Sequence, residues 1–276
     1  MELVVFCEGL VMAIARTGAG QTALITGASS GIGLELARRF AEDGYNLVLV
    51  ARTAETLTKA AADIEAVFQT TATAVPLDLG QPGTGQELAD LLSARGISVD
   101  VLVNNAGFGA TGPFSSSDPS SQTGMIDLNA RALVELTRIF LPAMAGRKRG
   151  GILNVASIAA FQPGPSMAVY CATKAFVLSF TKALSEELRG SGVHVTCLCP
   201  GTTESAFHKR AGTGELRLFQ TGMRSAKSVA KFGYAAFQRN QRVAIPGVAN
   251  AITAHLAGIL PRGLVLRAAK LALSPR

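Results

Sequence analysis

The strongest constraint in this sequence is a set of seven short aliphatic runs that are continuous rather than alternating. They are TALIT (22–26), NLVLV (46–50), TATAVP (71–76), VDVLVN (99–104), GILNVA (151–156), VHVTCLC (193–199) and RVAIP (242–246). A strand that is apolar on both faces belongs inside a parallel sheet covered on both sides. Parallel neighbours need long crossovers, and the segments between the runs read as helices at 31–43, 53–68, 84–95, 122–145, 166–189 and 225–239. Gly44 would close the first helix, and Gly190 or Gly192 the one before the last of these. The expectation is an α/β fold: a doubly wound parallel sheet of about seven strands. With 276 residues, 48% of them hydrophobic, the chain can bury one such domain. We expect residues 1–20 to be an extension, 21–276 a single domain, and no linker or repeat to divide it.

Charge and cysteine usage narrow the function classes. Residues 1–201 carry 14 Lys+Arg and 17 Asp+Glu, whereas residues 202–276 carry 12 and 2. The plain reading of that basic end is a solvated surface; an anionic substrate or an acidic lipid surface is the sharper one. Nucleic acid is disfavoured, because no aromatic residues interleave with the charge. Cys7, Cys171, Cys197 and Cys199 include no Cys-x-x-Cys pair, and only three His are present, so no metal site is expected. Alternation places Cys197 and Cys199 on one face. Reduced, structural thiols suit a cytoplasmic location. No run reaches the roughly 18–20 apolar residues that span a bilayer.

Chemistry gathers where strands end. The first strand runs into Gly27-Ala28-Ser29-Ser30-Gly31-Ile32-Gly33 and then a helix. Glycines allow a tight turn, and a helix N-terminus offers free N–H groups to a pyrophosphate. The second strand ends in Ala51-Arg52, with no carboxylate for ribose hydroxyls, while Arg52 suits a 2′-phosphate; this favours NADP(H) over NAD. Arg52 could equally be a surface residue ending a strand. Tyr170 and Lys174 are spaced i, i+4 and would share a helix face, where an ammonium would lower the phenol's pKa for acid/base work. Ser157 follows the strand GILNVA and could donate to a substrate oxygen or cap a turn. Asn104-Asn105-Ala106-Gly107 could line a cofactor cleft or form a simple turn. Asp78-Leu79 follows a third strand, where Asp78 could serve as an N-cap.

Taken in order, TGASSGIG, DL, NNAG, Asn129 in DLNAR, Ser157, YCATK and Pro200-Gly201 resemble the short-chain dehydrogenase/reductase family over roughly residues 20–247. The resemblance implies a Rossmann fold, a homo-dimer or tetramer, and hydride exchange between NADP(H) and a carbonyl or alcohol. It further implies Tyr170 as general acid/base, Lys174 as the residue that lowers the Tyr170 pKa and holds the nicotinamide ribose, and Ser157 as the group orienting the carbonyl. Asn129 would support a water-mediated proton relay. Asn105, Asp78, Leu79 and Thr203 would line the cofactor. The chain resembles most a bacterial branch related to long-chain 3-oxoacyl and steroid reductases. Two alternatives stand beside this: an NAD-dependent alcohol dehydrogenase running oxidatively, and a non-catalytic cofactor sensor.

The remaining expectations concern substrate. Phe108, Phe114, Phe161, Met167 and Phe207 could make an apolar pocket for a small apolar ketone or aldehyde, or be ordinary core residues. Residues 202–224 would be a mobile lid. Residues 248–276 would be a helical tail, with Pro261 in the first turn of a helix over 262–273. That short helix is expected to pack on a subunit or cover the substrate mouth, with weak membrane-surface contact as the lesser alternative.

Overall fold

The computed structural model describes residues 17–204, 211 and 222–274. Seven parallel strands form its main sheet: β1 (Thr22–Thr26), β2 (Asn46–Ala51), β3 (Ala72–Pro76), β4 (Val101–Asn104), β5 (Gly150–Val155), β6 (Val193–Leu198) and β9 (Val243–Ala244). A separate two-residue ribbon pairs β7 (Thr203–Glu204) with β8 (Arg224–Ser225). The helices are α1 (Gly31–Glu42), α2 (Ala54–Phe68), α3 (Thr84–Ala94), α4 (Pro119–Ile126), α5 (Ala132–Gly146), α6 (Ala168–Glu187), α7 (Ala226–Gln238), α8 (Val248–Ile259) and α9 (Arg262–Ala272).

All seven predicted strands form; β1 keeps its bounds, β2 gains Ala51, β5 shifts back by one residue, and the others are trimmed. VDVLVN is regular strand from Val101; ahead of it the Asp100 amide donates to the Thr22 carbonyl at 2.9 Å, while the Asp100 carboxylate accepts from the Thr22 amide at 3.0 Å and lies 3.5 Å from both Arg147 and Arg149. The strand order is β3-β2-β1-β4-β5-β6-β9, so the winding reverses between β1 and β4. In such sheets ligands bind at the carboxyl ends of the strands beside that reversal. One face is covered by α1, α2 and α7, where Phe40 stacks edge-on against Tyr45, Tyr234 and Phe237 with centroids 5.1, 4.8 and 5.8 Å away. On the other face Leu88, Leu92, Leu136 and Leu184 from α3, α5 and α6 meet Leu24, Leu102 and Ile152 of the sheet.

Two helix starts differ from expectation. The helix predicted over 122–145 starts at Pro119, because the Asp118 carboxylate accepts from the Ser121 amide and Pro119 occupies the first turn. It then widens into a π-turn at Asp127–Arg131, which hydropathy does not betray. Residues just ahead of 21 also touch the domain. The Gly18 amide donates to the Asp43 carbonyl at 3.0 Å, and a Cβ on Gly18 would fall 1.9 Å from the Tyr45 ring. Residues 1–16 lie outside the described residues. In the tail, Pro261 is the N-cap of α9 rather than part of its first turn.

Candidate active site

Of the catalytic and cofactor-binding candidates read from the sequence, all but Ala28, Gly33, Asn104 and Asn129 line one cleft at the strands' carboxyl ends. Gly27, Ser29, Ser30, Gly31 and Ile32 form one wall, and Arg52, Asp78 and Leu79 lie beyond them. Asn105, Ala106, Gly107, Ser157, Tyr170, Lys174, Pro200, Gly201 and Thr203 complete the cleft.

The glycine loop is fixed by its own backbone. Gly27 and Gly31 take φ of 65° and 58°, the left-handed region that favours glycine. Thr26 Oγ1 accepts from the amides of Asn105 and Ala106 at 3.0 and 2.9 Å, and Asn105 Nδ2 donates to the carbonyls of Thr26 and Gly27 at 2.9 and 3.2 Å. These bonds lock the β1 and β4 turns together. Gly33 sits beneath the loop, where a Cβ would lie 2.3 Å from the Gly27 carbonyl oxygen. Its place is therefore packing, not the cofactor wall that the motif suggested. At the N-terminus of α1, Ser30 makes no side-chain cap, and the first turn holds no acidic residue. Its amides and dipole suit a pyrophosphate, so the residues present fit a dinucleotide.

Around the proposed reacting groups the geometry is tight. Tyr170 and Lys174 are both buried on α6, one turn apart, with Lys174 Nζ 5.9 Å from the ring centroid. The Lys174 ammonium donates to the Val155 carbonyl at 2.9 Å. Ser157 Oγ accepts from the Ala159 amide at 3.1 Å as a turn cap and donates to the Pro200 carbonyl at 3.5 Å, and its hydroxyl lies near enough to the Tyr170 phenol to lower that phenol's pKa. Burial pushes the Tyr170 phenol up to about 12, with Ser157 opposing. Burial likewise pushes Lys174 down to about 8. The expectation that Lys174 depresses the phenol is thus corrected for the protein's own groups. Desolvation dominates, because the ammonium is directed at Val155 rather than at the phenol oxygen.

Asn129 stands behind this wall, inside the π-turn. Its amide accepts from Phe108 N at 3.0 Å and donates to the Phe108 carbonyl at 2.9 Å and Thr173 Oγ1 at 3.1 Å. It meets Lys174 only across Gly107, where a Cβ would lie 2.9 Å from Asn129 Oδ1 and 3.5 Å from Lys174 Nζ. Cys197 and Cys199 do share a face, with their sulfurs 3.7 Å apart. No metal-binding cluster occurs among the described residues.

The substrate end departs further from the sequence reading. Phe108 and Met167 line the cleft, but Phe114 is 68% exposed and Phe161 packs beside Ala160 in a neighbouring cluster. Phe207 falls outside the described residues. Leu273, absent from the candidate pocket, enters the cleft from the end of α9 and packs with Met125, Met167, Tyr170 and Cys171. Its signal was the spacing Val265, Ala269, Leu273, which becomes one buried helix face once the helix starts at Arg262.

The short chain dehydrogenase family model matches residues 21–216. A very-long-chain 3-oxoacyl-CoA reductase of Phaeosphaeria nodorum is 38% identical over 196 residues, covering 69% of this chain and 57% of that protein. The chain therefore spans little more than half of that relative's length. A short-chain dehydrogenase from Sphingobium yanoikuyae in complex with NADPH superposes with a TM-score of 0.76 at 32% identity, covering 87% of this chain and 94% of that one. Another, from Burkholderia phymatum in complex with NAD, gives 0.79 at 26% identity, covering 94% and 98%.

Proposed function

The chain belongs to the short-chain dehydrogenase/reductase family, and from that premise we propose an NADP(H)-dependent reductase of apolar ketones or aldehydes with Tyr170 as its acid. The observation carrying this reading is the Tyr170 phenol, beside Ser157 and one helical turn from Lys174, in the cleft that also holds the open N-terminus of α1. A bound nicotinamide nucleotide supplies the hydride; the protein supplies position and a proton. Ser157 holds the substrate oxygen, and Tyr170 protonates that oxygen. With burial raising its pKa to about 12, the phenol carries at neutral pH the proton that reduction requires. Lys174, charged below about pH 8, positions the ribose hydroxyls, and Asn129 braces the Phe108 backbone beside it. Arg52, on the cleft wall after Ala51, supports NADP(H) by offering its guanidinium to a 2′-phosphate.

For the substrate side we assign Phe108, Met167 and Leu273 as the apolar wall. The lid expected over residues 202–224 lies for the most part outside the described residues; at its described edges β7 pairs with β8, and the Ala211 carbonyl accepts from Thr111 Oγ1 at 2.9 Å. The test is a screen of straight-chain and cyclic ketones and aldehydes by loss of NADPH absorbance, run beside Tyr170→Phe. We expect kcat to fall about 10²–10⁴-fold in the variant while NADPH binding stays within about twofold. A variant that kept turnover near the parent's would remove Tyr170 from the role.

A further inference from the structure

We propose that α8 and α9 form a docking surface for an anionic lipid bilayer. The inward faces of both helices are spent on the domain: Ala254 of α8 and Val265, Ala269 and Leu273 beside it on the α9 side are buried. Asn250 of α8 lies against Gly201 at the cleft, 2.4 Å from where a Cβ would stand.

The outward face of α8 is the anomaly. Val248, Ile252, Leu256 and Ile259 advance by four, four and three residues, so they form one stripe, and they are 77, 54, 45 and 66% exposed. The helix VANAITAHLAGI contains no Asp, Glu, Lys or Arg at all. A helix facing water ordinarily carries its charge on this side. On α9, Leu264 and Leu271 are also apolar and 54 and 60% exposed, on a helix that carries the exposed cations Arg262, Arg267 and Lys270.

Charge selects the occupant. From residue 216 to the end the sequence has ten Lys or Arg and no Asp or Glu. A two-fold contact between copies would set this patch against itself, cation facing cation with no carboxylate in the segment to offset it. Neither helix carries a Phe, Tyr or Trp with which to stack a nucleobase. An apolar stripe with cations and no anions fits acyl chains beneath anionic headgroups. Sequence alone pointed the other way, because 262–273 by itself is short; the second helix supplies the missing apolar area. Leu273 at the end of α9 then brings the apolar end of the cleft next to the bilayer.

The experiment is flotation of the full-length protein with vesicles of phosphatidylcholine alone and of phosphatidylcholine containing a third phosphatidylglycerol, at low and high salt. Two variants accompany it, both at exposed positions: Ile252→Asp with Ile259→Asp, and Arg267→Glu with Lys270→Glu. Far-ultraviolet circular dichroism and NADPH binding report that each variant is folded. We expect binding to the anionic vesicles that weakens in high salt and falls roughly tenfold or more in each variant. No binding at low salt, equal binding to neutral and anionic vesicles, or binding unchanged in both variants would overturn the proposal. So would concentration-dependent self-association that Ile252→Asp abolishes in the absence of vesicle binding, since the occupant would then be a second copy.

Discussion

The glycine turn after β1 and the α8–α9 tail stand at two ends of one cleft and are held by opposite means. In the turn, backbone packs on backbone: a Cβ on Gly33 would meet the Gly27 carbonyl oxygen at 2.3 Å, and Asn105 and Thr26 sew the neighbouring loop to it. In the tail, Gly258 and Gly263 have nothing within 4 Å of a Cβ, and contact with the cleft runs through side chains, Leu273 within it and Asn250 against Gly201. Where backbone geometry makes the site, few residue types are tolerated and a motif results. Where side chains make it, many sequences would serve, so the substrate end is free to differ between relatives that share the cofactor end.

The sharpest way to break this contrast is at the cofactor end. Arg52→Asp should weaken NADPH about 10–150-fold, the loss of about 1.5–3 kcal/mol for a charged hydrogen bond, and leave NADH far less affected. Fluorescence titration of both cofactors measures it, and equal affinities of the parent for the two would dispose of the role given to Arg52.

A pH profile comes next. Lys174 has a folded pKa of about 8, below the ordinary 10.5, because burial disfavours its charge. Reduction needs the ammonium, so kcat/KM should be level below about pH 8 and fall about tenfold per unit above it. The linkage has the opposite sense for stability. Below about 8 both states hold the proton; between about 8 and 10.5 only the unfolded chain does, so this group makes stability rise with pH there. A profile with no decline up to pH 10 would detach Lys174 from the reaction.

The smallest effects compare glycines directly. Gly33→Ala should cost about 1–3 kcal/mol by overpacking, visible as a melting temperature lowered by several degrees. Gly258→Ala, with open space around it in a helix, should gain up to about 1 kcal/mol from propensity. Calorimetry giving both substitutions the same sign would erase the distinction between the two ends.

Legibility in the sequence followed the same division. The strands and the cleft from Gly27 to Thr203 could be read because burial on both faces leaves continuous apolar runs, and tight turns leave glycine and asparagine. Gly33 could not be separated from its ligand-facing neighbours, since spacing does not say which glycine faces a ligand and which faces a carbonyl. The π-turn around Asn129 was hidden because its extra residue barely disturbs helical periodicity. Phe114 and Phe161 misled because aromatic type does not fix direction. Leu273 was obscured because its role depends on tertiary docking of a helix that local pattern could only place. The depressed phenol pKa failed for a similar reason: spacing brought Lys174 near Tyr170 but could not reveal that its ammonium is taken by Val155.

The most direct test of the central claim, that chemistry at one end is separable from recognition at the other, is label transfer in Leu273→Ala. Parent and variant would be given NADPH deuterated at the transferable position and straight-chain ketones of increasing length, with product analysed by mass spectrometry. The account predicts deuterium on the former carbonyl carbon in both proteins, similar kcat, and a KM raised about tenfold in the variant for long chains, as expected for losing one buried leucine contact. Product without deuterium at that carbon, or a variant whose kcat falls while its KM for every chain length stays unchanged, would contradict it.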